Sequence, residues 1–144
     1  MSGLKLLAQD EEDLKIISAH LQDAIMRVGD MLYLPKKRRF VAVMNRFCWE
    51  DCGDHEPGER VQTGLHFDGV LKVQSRNVRL DDPEAVAGLL AIDFSPSEDG
   101  GGDVDLLLCG GGLIRLNVEC IDACLSDISE PRPAIARPAH NLGV

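Results

Sequence analysis

The clearest fold signal in the chain is the stretch VDLLLCGGGLIRLNV, residues 104–118. Two short apolar runs, 104–108 and 113–118, flank three glycines at 110–112. Apolar runs joined by a glycine cluster predict a β-hairpin, because glycine adopts the backbone angles of tight turns. These glycines, like those at 100–102, lack the lysine and Ser/Thr of a phosphate-binding loop. We therefore predict that both clusters are turns.

The segment after this hairpin has apolar side chains at helical spacing: Ile121, Cys124, Leu125 and Ile128. That spacing predicts a C-terminal helix over residues 119–128. Residues 131–144 contain three prolines and no apolar periodicity. We expect one globular domain over residues 1–130, followed by a mobile tail over 131–144.

An N-terminal helix is predicted over residues 11–22. Asp10 can cap it, residues 11–13 are all acidic, and Leu14, Ile17 and Leu21 share one face. Carboxylates at this position accept hydrogen bonds from the free N–H groups of the first turn and interact favourably with the helix dipole.

The remaining apolar runs are short and β-rich: residues 4–7, 31–34, 40–47, 65–67, 70–73 and 89–94. Runs of strands flanked by helices predict the α+β class. We expect an antiparallel sheet or half-open barrel packed by an N-terminal and a C-terminal helix. The predicted ending of strand, glycine turn, strand and helix is similar to a pleckstrin-homology-like barrel.

The composition restricts the possible functions. The chain has 144 residues, 44% of them hydrophobic, and a formal net charge of −9. Residues 24–79 carry a balance of +3, whereas residues 80–130 carry −11. The overall sign disfavours general nucleic-acid binding. No apolar run approaches the roughly 20 residues of a membrane span. The odd count of five cysteines and a start without a signal peptide predict free thiols and a cytoplasmic location.

A basic run at a predicted hairpin tip gives the first candidate binding residues: Lys36, Lys37, Arg38 and Arg39. Four adjacent positive charges could bind a phosphate group, an acidic protein or anionic lipid. The alternative is a solvated turn that balances the acidic half of the chain.

Thiol and imidazole side chains give the second candidate, because they are zinc ligands. Cys48, Cys52 and His55 lie close together in sequence, and His66 follows. Cys120 and Cys124 are four residues apart and would share one face of the predicted C-terminal helix. Zinc ribbons usually pair cysteines two residues apart, so buried or loop thiols remain the alternative. We expect no metal and no cofactor, and acids around residue 52 disfavour a reactive thiolate there. Trp49 is expected in the core.

Several segments together resemble one protein family: residues 10–23 (DEEDLKIISAHLQD), 33–35, 45–47 with 49–50, 89–94 (LLAIDF) and 110–121 (GGGLIRLNVECI). The chain resembles the domain-of-unknown-function 2948 family of alphaproteobacteria over residues 4–130. The resemblance implies a small cytoplasmic bacterial protein. It implies no activity and supplies no catalytic or binding residues.

Two functional classes are compatible with these patterns. The first is a non-enzymatic binding or adaptor module that acts with a protein partner or as a homo-oligomer. The sequence favours it because no nucleophile or acid–base motif is present. The second is an enzyme or small-ligand protein whose site combines distant residues such as Arg46, His66 and Asp68. A polar pocket that holds titratable side chains with shifted pKa values would favour the second class. A flat, exposed apolar surface would favour the first class.

Overall fold

The fold is a mostly antiparallel sheet with one helix. It is known from a computed structural model that describes residues 4–47 and 60–128. The elements in chain order are β1 (Lys5–Ala8), α1 (Glu11–His20), β2 (Ile25–Arg27), β3 (Met31–Leu34), β4 (Arg39–Phe47), β5 (Arg60–Phe67), β6 (Val70–Arg76), β7 (Val86–Pro96), β8 (Gly102–Leu108), β9 (Leu113–Val118) and β10 (Ala123–Asp127).

Alternating side chains produce the strands. In β4 and β8, every second residue is buried and the residues between are partly exposed, which is the period of a strand with one face on the core. The strand order is β1-β10-β5-β4-β2-β7-β8-β9-β6, with β3 also paired to β4. Every pair of neighbours is antiparallel.

The sheet is strongly curved because of one short connection. β5 and β6 are third and ninth in the strand order, yet only Asp68 and Gly69 join them. Two residues span only about 10 Å, so the sheet must fold over to bring these strands together. Gly69 has a φ of 70°, which glycine adopts without strain. One face of the sheet therefore surrounds a single core.

Helix α1 forms as its sequence predicts. Asp10 accepts a hydrogen bond from the Asp13 N–H at 2.8 Å, and acids fill the first turn. Leu14 and Ile17 are buried in the core. The hydroxyl of Ser18 accepts a hydrogen bond from the backbone N–H of Ile92, in β7, at 2.9 Å. The helix ends two residues earlier than predicted. In the described residues, no helix is long and apolar enough to cross a membrane.

The predicted C-terminal helix is wrong. Residues 123–127 form β10, which lies between β1 and β5. Ala123 and Leu125 face the core, while Cys124 faces outward but is covered by its neighbours. A central strand with apolar side chains on both faces produces spacings that coincide with a helical period. The likeness to a pleckstrin-homology barrel depended on that helix and loses its basis.

Other local predictions are confirmed. β8 and β9 pair across a glycine turn in which Gly110 and Gly111 have positive φ. β3 and β4 form the hairpin with the basic tip. β7 covers the run predicted at residues 89–94 and is longer. Trp49 and the tail at residues 131–144 lie outside the described residues.

Candidate functional site

The basic run lies at the tip of the β3–β4 hairpin. A short 3-10 turn, Pro35–Lys37, leads to Arg38, whose φ of 51° is left-handed. Arg38 donates from Nη1 to Glu119 Oε2 at 3.2 Å. Arg39 donates from Nε to Asp68 Oδ1 at 2.7 Å. This hydrogen bond, and then the charge of Asp68, raise the pKa of Arg39. Two of the four cations are therefore already paired.

The other two cations are Lys36 and Lys37. Both are exposed. Of the carboxylates that the structure describes, those at this tip are bound by Arg38 and Arg39, and none forms an ion pair with either lysine. Exposed lysines are compatible with both alternatives, so contact of the tip with an anion and a solvated turn both stay predictions.

The structure brings together two of the three residues proposed for a composite site. His66 Nε2 lies 3.6 Å from Asp68 Oδ2, and both side chains point away from the core. Arg46 is on the opposite face of the sheet, opposite Val61 and five residues along β5 from His66. Five residues of strand span about 17 Å, so Arg46 cannot act with the other two.

Arg46 instead forms a buried ion pair. Its guanidinium donates from Nε and Nη2 to the two carboxylate oxygens of Asp127, at 3.0 and 2.9 Å. The Leu4 N–H also donates to Asp127 Oδ2 at 2.8 Å. The side chains of Arg46 and Asp127 are 0% and 3% exposed. This bidentate pair joins β4 to β10 and β1, and its role is structural.

The cysteine candidates separate in the fold. Cys48, Cys52 and His55 lie outside the described residues. The expectation that Cys120 and Cys124 share a helical face is wrong, because Cys120 is in an exposed loop and Cys124 is in β10. Within residues 4–47 and 60–128, no group of three His, Cys, Asp or Glu side chains could hold a metal ion.

A groove of about 500 Å³ lies between the β7–β8 turn and the end of β9. Its two carboxylates are Asp99 and Glu119. A hydrogen bond from the Ser97 hydroxyl, and others from backbone N–H groups, lower the pKa of Asp99. Glu119 is paired with Arg38. The lowered pKa of Asp99 favours its ionised form, which does not suit a general acid. A second groove, of about 220 Å³, lies between α1 and β7.

The side of β1, β10, β5, β4 and β3 that points away from the core is here called the outer face, and it includes the neighbouring end of β2. Its residues form rows across the strands, each named after its β5 residue. They are the Asp68 row (Asp122, Asp68, Arg39, Leu34), the His66 row (Leu7, Cys124, His66, Val41, Leu32), the Gly64 row (Lys5, Ser126, Gly64, Val43), the Gln62 row (Ile128, Gln62, Asn45, Ile25) and the Arg60 row (Arg60, Phe47).

Large aliphatic side chains are exposed at the ends of two rows. Leu7 is 63% and Leu32 58% exposed at the ends of the His66 row. Ile128 is 54% and Ile25 36% exposed at the ends of the Gln62 row. The helix does not cover this face, because α1 packs against β1 and β7 with its buried residues in the core. The outer face is therefore a broad, partly apolar surface.

Gly64 lies at the centre of the outer face, in the interior of β5. Its φ is not among the positive values, so the backbone does not require glycine. An added Cβ would meet Ile128 Cγ2 at 3.7 Å and the Ser126 carbonyl oxygen at 3.9 Å, which are ordinary contacts. Glycine in a strand interior costs about 0.5–1 kcal/mol relative to alanine. Such a glycine often marks a bulge, a tight bend of a barrel or the close approach of another molecule.

Comparison with known proteins identifies the family but not a site. Residues 4–140 match the family model described as "Protein of unknown function (DUF2948)". The chain belongs to this family. Membership in the DUF2948 family confirms the resemblance carried by the segments quoted above, over nearly the whole chain. No curated protein and no solved structure matches the chain.

Two weak signals for the outer face are present in the sequence. Leu6 and Leu7 are adjacent in β1, so one of them must point away from the core. Gly64 interrupts a strand that is otherwise regular. Neither signal identifies a surface until the strand order is known.

Proposed function

We propose that this protein of the DUF2948 family is a small, non-enzymatic binding module that docks a protein partner on its outer face. The observation that carries the proposal is the exposure of Leu7, Leu32 and Ile128 on one sheet face. Single exposed leucines are common on monomeric proteins, but several on one continuous face indicate an interaction surface.

The physical gain of docking comes from these aliphatic side chains. Removing a leucine or isoleucine from water stabilises a complex by about 1.5–3 kcal/mol when burial is complete. Val41 and Val43, already half-buried between their neighbours, extend the apolar surface between the exposed ends. Charged side chains border it in the Asp68 row and the Arg60 row. His66 and Gln62 lie between the aliphatic ends, so the face mixes polar and apolar side chains, as the interfaces of non-obligate complexes do.

The proposed setting is the bacterial cytoplasm. Cys109, Cys120 and Cys124 are free thiols. A reducing compartment suits free cysteines, of which two are exposed here. We also infer that the curved sheet is a half-open barrel, because β1 and β6 end the strand order while the β5–β6 connection brings the two halves together.

The alternative is an enzyme or small-ligand protein, and one contact favours it. His66 and Asp68 form a pair at 3.6 Å on the outer face. The two grooves described above are lined by other residues. The binding module is preferred because its surface is already formed, and because neither of the two grooves includes His66 or Asp68.

The test is native mass spectrometry of the protein isolated gently, without chelator, from cells that produce it naturally. The variant Leu7→Asp with Leu32→Asp places two charges on the outer face. The control is Leu80→Asp, at a leucine that is 65% exposed outside this face. We expect a protein partner with the wild type and the control, and its loss with the double variant. Retention of the partner by the double variant would place binding elsewhere. A bound small molecule or metal would favour the alternative.

A further inference from the structure

The outer face has nearly the same chemistry on both sides of the Gly64 row. On one side, the His66 row has exposed leucines at its ends and an imidazole at its centre. On the other side, the Gln62 row has Ile128 and Ile25 at its ends and an amide at its centre. Similar side chains therefore lie at equal distances on either side of the Gly64 row.

The outermost rows continue this pattern with complementary charge. In the Asp68 row, the carboxylate of Asp68 lies beside the guanidinium of Arg39. In the Arg60 row, the guanidinium of Arg60 stacks on the ring of Phe47, 3.7 Å from its centroid. Arg60 begins β5 and Asp68 directly follows it, whereas Arg39 and Phe47 begin and end β4. An anion on one side of the Gly64 row thus corresponds to a cation on the other.

We propose that the occupant of the outer face is a second copy of this chain, related by a two-fold axis that runs across the strands along the Gly64 row. This inference rests on the proposed docking function and names its partner. A two-fold contact brings the same patch of both copies together, so the patch must be self-complementary. The chemistry of the rows meets that condition.

The axis fixes which side chains meet. Ile25 of the second copy falls over Leu32, because both lie beside β4 at equal distances from the axis. Ile128 of the second copy falls over Cys124, because both lie on the line of β10. The guanidinium of Arg60 in one copy falls over the carboxylate of Asp68 in the other. Ile25 thus meets Leu32, and Arg60 meets Asp68 of opposite charge. Val41 meets the amide of Asn45, and Lys5, at the edge of the face, meets Lys5 of the second copy.

Gly64 explains how the two sheets come close. On the proposed axis, Gly64 faces Gly64 of the second copy, so no side chains separate the sheets at the centre. Among the residues that the structure describes, an added Cβ on Gly64 would make only ordinary contacts, and its φ is not positive, so neither crowding nor a left-handed backbone requires glycine here. A requirement for close approach of a second sheet supplies the missing reason.

The size of the surface suits a weak, reversible dimer. Five strands span four spacings of about 4.8 Å, and nine residues span eight steps of about 3.4 Å, which gives at most about 500 Å² in each copy. β1 and β3 have only four residues each, so the pair buries at most about 1,000 Å², at the lower limit for a specific interface. We therefore expect a dissociation constant in the micromolar range.

Sedimentation velocity of the full chain from about 1 to about 500 µM tests the dimer, since this range brackets a micromolar dissociation constant. Gly64→Val puts a branched side chain on the axis, whereas the monomer has room for it. We expect it to raise the dissociation constant at least about tenfold, with an unchanged or higher melting temperature. Leu32→Asp should also weaken the dimer, and Leu80→Asp should not.

A cross-link tests the position of the axis. Ser126 lies on the Gly64 row, so Ser126→Cys should face itself across the axis. A short bismaleimide should then join two copies at position 126. The matched control, Ser75→Cys on β6, lies away from the outer face and should give no such link.

A dimer that Gly64→Val and Leu32→Asp weaken, with a link at position 126, supports the inference. A monomer at every concentration overturns it, and the proposed function survives if a different protein still binds the outer face in native mass spectra. A dimer that neither variant weakens overturns the inference and shows that the chain associates through another surface.

Discussion

Replacing Asp127 by asparagine tests the most deeply buried charge contact that the structure describes. Asp127 accepts two hydrogen bonds from Arg46 and one from the Leu4 N–H, and both charged side chains are almost fully buried. Asparagine keeps the shape but removes the negative charge that Asp127 places beside the buried Arg46 guanidinium. Breaking a buried ion pair from one side costs about 3–5 kcal/mol. That is a large part of the roughly 5–15 kcal/mol that stabilises a domain.

Urea denaturation followed by circular dichroism measures this loss. With a slope of about 2 kcal/mol per molar, the midpoint should fall by about 2 M. The control is Glu12→Gln, which removes an exposed i,i+3 ion pair with Lys15 and should cost at most about 0.5 kcal/mol. Adding Arg46→Met to Asp127→Asn should recover part of the loss, since the buried guanidinium that faced the lost carboxylate is then removed as well. A loss below about 1 kcal/mol for Asp127→Asn would refute the reasoning.

Two further predictions concern local structure. The pKa of Asp99 lies below its usual value of 3.8, mainly because the Ser97 hydroxyl donates a hydrogen bond to it. The contribution of Asp99 to stability is therefore complete above pH 3.8 and is lost as the pH falls through the pKa of the folded state. Ser97→Ala should raise the Asp99 pKa in a carboxyl NMR titration, and an unchanged pKa would contradict this. An added Cβ on Gly102 would lie 2.3 Å from the Ser95 carbonyl oxygen, so Gly102→Ala should cost at least about 2 kcal/mol in urea denaturation. Gly64→Ala should be neutral or stabilise by up to about 1 kcal/mol, and equal effects of the two variants would contradict the argument.

Elements with local signals could be predicted from the sequence. The N-terminal helix has its cap, its acidic first turn and its apolar stripe within residues 10–21, so no distant contact is needed to form it. The β8–β9 hairpin is equally local, because the glycine turn and both strands are contiguous. In such segments, propensity and tertiary packing favour the same structure.

The C-terminal strand could not be predicted in this way. β10 is held by β1 on one side and β5 on the other, and both partners are more than fifty residues away in sequence. Burial on both sides removes the alternation that identifies a half-buried strand. Spacing alone therefore could not distinguish it from a helix.

The surroundings of the candidate site residues also depend on contacts that are distant in sequence. The charge run at residues 36–39 is visible in the sequence. The acids that pair with its two arginines are distant in sequence, since Glu119 follows β9 and Asp68 follows β5. Arg46 and His66 have chemistry that fits a site, but they lie on opposite faces of the sheet. Residue type indicates what a side chain can do, whereas register decides which side chains can act together.

The same dependence on register makes Gly64 informative. A glycine in a strand usually reflects a positive φ, a bulge or a crowded core, and Gly69 and Gly102 are explained in this way. Gly64 has none of these causes, although it lies in a central strand where a branched side chain would stabilise the sheet. A stability cost without an internal cause is expected at sites that serve another molecule. Because Gly64 is also the midpoint of a self-complementary pattern, the second copy explains the glycine and the surrounding rows with one contact.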